Sequence, residues 1–216
     1  MSNRIKSFFI KFYELTEKLL LRRIRRLFLH DKTFSIISNN CWGGNIYQYF
    51  GLPYKSPFAG LFIFPKDYLK LLGNLKYYMN LKPSYIDPKE TVHKKALVNN
   101  GTYGKYPIGL LDDIEIHFLH YNTIETAIEK WERRKNRINY DNLLVKFCDK
   151  DLATADDIID FCKLDYKKKI VLTAKQYPYL CNVKLKNENG DYIVNEWKNF
   201  KKTVNIIKFI NANNTL

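Results

Sequence analysis

Apolar and polar positions alternate between two periods along this chain. Apolar residues recur at Ile5, Phe8, Phe12, Leu15 and Leu19, the spacing of one helical face. Lys11, Lys18, Arg22, Arg23, Arg25 and Arg26 surround that stripe, so residues 1–30 are expected to be a basic amphipathic helix. A short apolar run, Thr33 to Ser38, predicts a strand, and a helix is expected from Asn45 to Phe50. A second strand is expected over Phe58 to Phe64. It leads into a helix begun by Pro65, whose apolar face is Tyr68, Leu71, Leu72, Leu75 and Met79.

Periodicity is lost between about residues 80 and 106, where Pro83, Pro88, Gly101 and Gly104 mark an irregular excursion. The pattern resumes with a strand from Ile108 to Tyr121, then a helix capped by Asn122 and Glu125. A strand at Leu143 to Cys148 and a helix opened by Thr154 with Asp157 follow. Lys169 to Thr173 predicts another strand, and Leu180 to Lys186 with Asp191 to Trp197 flanks Asn189-Gly190, a dipeptide suited to a hairpin turn. A last helix is expected from Asn199 to Ile210. Strands alternating with helices imply an α/β fold, a mainly parallel open sheet flanked by helices, with a C-terminal β-hairpin and the basic N-terminal helix added. Residues 31–216 are then a single α/β domain, since 216 residues suffice for one substantial core.

Charge narrows the partners. A net charge of +14 favours anions: nucleic acid, anionic lipid or the phosphates of a nucleotide sugar. Arginine is confined to residues 4–26 and 133–137, and the aromatic residues coincide with apolar stripes and not with those clusters, which argues against nucleic acid. Cys41, Cys148, Cys162 and Cys181 form no Cys-x-x-Cys pair and no Cys/His ligand spacing, so reduced thiols and no metal site are expected. With no apolar run of about 20 residues and no signal-peptide pattern, a cytoplasmic protein is expected, its basic helix suited to the inner face of an anionic membrane.

Ligands of open α/β sheets bind beyond the carboxyl ends of the strands. The stretch after the first core strand, Asn39-Asn40-Cys41-Trp42-Gly43-Gly44, therefore stands out as a candidate binding loop: amides to hydrogen-bond, glycines to admit a phosphate, an indole on which a sugar can stack. It matches neither dinucleotide nor ATP-binding patterns, so no cofactor is named. Cys41 is a candidate nucleophile, against the alternative of an inert buried thiol. His120 and Asp113 are candidate acid/base groups on the strand from Ile108, against ordinary structural roles. Arg134 falls on the apolar stripe Ile124, Ala127, Ile128, Trp131 and Ile138, where its charge needs a partner: Asp113 or Glu115, or a ligand phosphate. Arg137 and Asn142 are candidate ligand contacts beside it. Asp149 and Asp151 follow a strand as a carboxylate pair, a cation site or simply turn residues.

Taken together, Asn39 to Gly44 with Tyr47, Leu52-Pro53-Tyr54, Ser56-Pro57, Gly60-Leu61, Tyr106-Pro107-Ile108-Gly109, Asp113, His120-Tyr121, Trp131-Glu132-Arg133-Arg134, Arg137-Ile138-Asn139 and Asn142 resemble the domain-of-unknown-function family 1919 over residues 34–173. The resemblance implies an α/β fold and a bacterial exopolysaccharide or capsule setting. It implies no reaction and no catalytic residue. The leading expectation is a glycosyltransferase-like enzyme using a nucleotide sugar or another anionic small molecule. The alternatives are a non-catalytic adaptor on an anionic membrane surface and a sugar-modifying transferase acting through Cys41.

Overall fold

Three strands with almost no exposed surface, and a shorter, partly exposed fourth at their edge, form the centre of the molecule. The computed structural model describes residues 13, 16, 19–177 and 182–212. Strands β1 (Ser35–Ser38), β5 (Leu143–Cys148), β6 (Lys169–Thr173) and β7 (Asn182–Lys184) lie side by side in that order, every pair parallel. Side chains of a strand alternate between faces, and here each face is covered. Ile37, Val145, Phe147 and Val171 enter one core, whereas Ile36, Leu144, Ile170 and Leu172 enter the other. The mainly parallel sheet flanked by helices is as expected.

Helices cover both faces. On the first lie α3 (Pro65–Gly73), α4 (Leu75–Asn80), α6 (Ile124–Lys135) and α7 (Ala155–Lys163); Tyr68, Leu71, Leu72, Leu75 and Met79 are all buried there. On the second lie α2 (Trp42–Phe50), α8 (Glu196–Thr203) and α9 (Ile206–Asn211). The α7 capping box forms as anticipated, Thr154 Oγ1 accepting from Asp157 N–H and the Asp157 carboxylate from Thr154 N–H. For α6 the cap is Thr123, which accepts from Thr126 N–H, and not Asn122. Thr123 is in the extended backbone that an N-cap requires, and its hydroxyl fills the role.

Three local expectations are corrected. Residues 108–121 are not one strand: β3 (Ile108–Leu111) and β4 (Ile114–His117) form a hairpin around Asp112, which sits at φ 58°, and Asp113. Consecutive Asp residues are turn formers, and this signal outweighs the surrounding alternation. The hairpin is extended by β2 (Ser84–Ile86) from the 80–106 excursion, giving a separate antiparallel sheet β2-β3-β4; the excursion also carries α5 (Lys94–Asn99). Residues 58–64 make a single bridge, Phe62 with His117, while Ile63 N–H donates to Asn39 O at 2.9 Å. This extended segment thus connects the two sheets without joining either as a strand.

The C-terminal hairpin does not form. β7 runs parallel to β6, and the chain turns at Asn187, φ 63°, before Asn189-Gly190 is reached. The buried carboxylate of Glu188 organises the following loop, accepting from Val194 N–H, Asn195 N–H and Asn199 Nδ2 at 2.8–3.0 Å. Three such donors satisfy a buried carboxylate better than a two-residue turn satisfies a hairpin. Leu180 lies outside the described residues. The final helix is divided into α8 and α9 at Asn205, whose side chain accepts from Lys208 N–H. Cys41 and Cys148 are free, but Cys162 is disulfide-bonded, correcting the expectation of reduced thiols throughout.

Of the basic N-terminal helix, Ile5, Phe8, Phe12 and Leu15 lie outside the described residues. The described helical stretch, α1 (19–27), turns Arg22 and Arg25 inward: the Arg25 guanidinium stacks over the Tyr49 ring at 4.0 Å, and Arg22 packs on Gly51. Leu20 and Leu27 face outward, 59% and 80% exposed.

Candidate functional site

The carboxyl ends of β1 and β5 open onto a rim from which α2 departs. The Asn39 to Gly44 stretch lies there, but not as an open binding loop. Trp42, Gly43 and Gly44 are the first turn of α2. The Trp42 indole is buried, edge-on to Phe200 at 5.0 Å, so it offers no face to a sugar. Gly43 is required for packing: a Cβ there would come within 2.9 Å of both Ile36 Cγ2 and Ser38 Oγ. Its N–H donates to Ser38 Oγ, and Trp42 N–H to Asn40 Oδ1, so two of the helix's first donors are already satisfied. Gly43 is thus accounted for by helix-on-strand contact, whereas Gly44 has ordinary room around it and faces a cleft.

A cleft of about 250 Å³ nevertheless opens here. Cys41 and Gly44 meet His120, Tyr121, Lys130 and Arg134 around it, so the segment after β1 and the arginine-bearing α6 do share one rim. Arg134 is 9% exposed. Its Nη1 donates to Tyr121 Oη at 2.7 Å and Ala59 O at 3.3 Å, and its guanidinium lies 4.6 Å from the Tyr54 ring centroid. Among the described residues no carboxylate lies within ion-pair distance of it. Neither anticipated partner is there: Asp113 at the hairpin tip bonds Lys70 Nζ and Tyr78 Oη, both at 2.8 Å, and Glu115 bonds Thr91 and Val92. Asp113 is thus removed from the set facing His120, because the hairpin carries it away from the rim.

A family model described as "Domain of unknown function (DUF1919)" matches residues 12–214. The chain belongs to the DUF1919 family. The match extends well past residues 34–173 on both sides and takes in the C-terminal loop and helices. An uncharacterised protein of Haemophilus influenzae is 31% identical to this DUF1919 chain over 181 residues, 81% of each.

The remaining candidates of this DUF1919 protein separate by position. His120 is exposed in the cleft, its backbone N–H on Gly60 O at 3.0 Å. Arg137 does not line the cleft; it donates to Tyr54 O at 3.3 Å and so steadies the residue whose ring lies against Arg134. Asn142 is not part of the site. It precedes β5 at the opposite end of the sheet and donates to Asp31 Oδ2 at 2.6 Å, because residues before and after a strand emerge at opposite rims. Cys41 Sγ rests 3.6 Å from Leu61 O, and burial pushes its pKa up, the opposite of an activated thiol.

Past Cys41 and Asn45 the cleft continues into a groove of about 410 Å³ lined by Lys150, Asp151, Glu196 and Trp197. Asp149 and Asp151 do not converge as a cation-binding pair. Asp149 is occupied by Ala174 N–H at 2.6 Å and Ile193 N–H at 3.0 Å, while Asp151 reaches the groove from left-handed backbone, φ 56°, its pKa raised by burial. Beneath the groove floor the wholly buried Lys146 is ion-paired with Glu196 and donates to Asn39 Oδ1 at 3.3 Å and Asn40 Oδ1 at 3.1 Å. Asn40 Nδ2 donates in turn to Glu196 Oε2 at 2.7 Å. Asn39 is thus a buried support of the floor, whereas the half-buried Asn40 joins the same network and lines the groove. Lys146 and Glu196 escaped the sequence reading, although a lone lysine within Leu143–Cys148 was a visible signal.

Proposed function

We propose that this DUF1919 protein is a glycosyltransferase-like enzyme of exopolysaccharide or capsule synthesis that binds a nucleotide sugar along the rim groove, on the cytoplasmic side where such donors are made. The observation that carries this reading is Arg134: a nearly buried guanidinium, held by neutral groups and with no carboxylate partner among the described residues, beside Lys130 in a rim cleft. Guanidinium forks match phosphate oxygens, and a water-poor setting strengthens the pairing. In this reading Arg134 and Lys130 hold the diphosphate. An acceptor hydroxyl gives its proton to His120 as its oxygen bonds the sugar's anomeric carbon, and the bond from that carbon to the diphosphate breaks, releasing a nucleoside diphosphate. Titration calorimetry against a panel of nucleotide sugars, with and without Mn2+, is expected to give heat with at least one donor. Uniform absence of heat at millimolar ligand overturns the proposal.

A second reading, a membrane-surface adaptor, is favoured by the outward Leu20, Ile24, Leu27 and Phe28 of the N-terminal helix beside the exposed Arg23. No helix among the described residues is long and apolar enough to cross a membrane. Co-sedimentation is expected with phosphatidylserine-containing vesicles and to be lost on Leu27→Asp. Equal binding to neutral vesicles would count against it.

A further inference from the structure

Behind the groove, on the far side of Phe62, residues from two distant stretches converge. His93 at the start of α5 and Glu115 and His117 on β4 each bring one potential ligand atom within 4.8 Å of the others. Glu115 and His117 are two apart on a strand and therefore share a face. His117 is wholly buried, and neither of its ring nitrogens has a hydrogen-bond partner among the described residues; Nε2 lies 3.5 Å from Glu115 Oε2. An imidazole buried without a partner is costly, so this ring has an unexplained demand for one.

The groups around it are already oriented. Glu115 accepts from Thr91 Oγ1 and from Val92 N–H at 2.9 Å. Asp67 holds His93 Nε2 at 3.1 Å and also accepts Glu115 N–H at 3.1 Å, and the His93 ring stacks on Phe64 at 3.8 Å between centroids. Carboxylates that orient histidines, and hydrogen bonds that fix a carboxylate, are the outer arrangement of metal sites.

We propose that His93, Glu115 and His117 bind one divalent transition-metal ion, with zinc the best match, which clamps the 80–106 excursion onto the β3-β4 hairpin. Two imidazoles with one carboxylate suit zinc and its neighbours and not magnesium or calcium, which take oxygen ligands. The role is structural. The Phe62 ring stacks on His117 at 4.6 Å and lines the groove itself, so it stands between the site and any bound substrate. Besides the bonds to Glu115 and Asp67, the excursion is held by β2, three residues long, and by a small cluster around Leu97 and Tyr106. The inference is independent of the glycosyltransferase reading.

Elemental analysis and thermal melting of the full-length protein provide the test. Protein purified without chelator is expected to carry close to one zinc per chain. After chelator stripping, Zn2+ at a hundredfold excess over its Kd is expected to raise Tm by roughly 5–10 °C. His93→Gln, at the most exposed of the three ligands, is expected to keep its circular dichroism spectrum while losing both the metal and the Zn2+-dependent shift. Glu115→Gln supplies a second variant for the same two readouts. Absence of zinc together with an unchanged Tm on Zn2+ addition, or equal zinc content and shift in wild type and folded His93→Gln, would overturn the proposal.

Discussion

Replacing Lys146 with methionine is expected to lower Tm by roughly 5–20 °C. Lys146 is wholly buried at the carboxyl end of β5, and its ammonium is the shared donor for Glu196, Asn39 and Asn40. Removing one member of a buried pair leaves the other charged group and its polar neighbours unsatisfied, at a cost of about 3–5 kcal/mol. For a chain of this size each kcal/mol corresponds to roughly 2–4 °C. The double variant Lys146→Met/Glu196→Leu is expected to recover at least half of the loss, because neither charge then remains without its partner. A single variant melting within 2 °C of wild type would show that the network is not what holds the floor of the groove.

Substituting Arg134 is expected to have the largest effect on binding. In Arg134→Gln the Kd for inorganic pyrophosphate, or for whichever nucleotide sugar binds, should rise by about 10- to 100-fold, the range for losing a hydrogen bond to a charged group. Lys208→Gln removes an equal charge from an exposed position on α9 and should leave Kd within about twofold. The comparison separates a specific phosphate contact from the general attraction of a net charge of +14. If both variants weaken binding equally, or if Arg134→Gln leaves Kd unchanged, the rim cleft is not where the anion binds.

Both predictions concern residues with different legibility. Arg134 was conspicuous because helical periodicity put a guanidinium on the apolar stripe with Ala127 and Trp131, and a charge on a buried face demands explanation. Which groups surround it was not legible: Tyr121 and Ala59 are 13 and 75 residues away in sequence. Asn39 to Gly44 drew notice for its composition. Its Gly43 and Trp42 are nonetheless explained by contacts with Ile36, Ser38 and Phe200, which no local pattern reports. His93, Glu115 and His117 drew no notice as a group, since more than 20 residues separate the first from the others and neither ligand spacing nor motif links them.

What the sequence by itself determined was therefore local: the helices from Pro65 and Thr154, the buried strands Leu143–Cys148 and Lys169–Thr173, and the α/β alternation. These follow from side-chain periodicity and capping, interactions that span a few residues. Tertiary structure alone decided that β7 joins the sheet parallel and forms no hairpin, and that Arg134, His120 and Cys41 share a rim. Those outcomes depend on which distant surfaces can be buried together and which buried polar groups find partners. That balance is struck over the whole chain, so no window of neighbouring residues contains it.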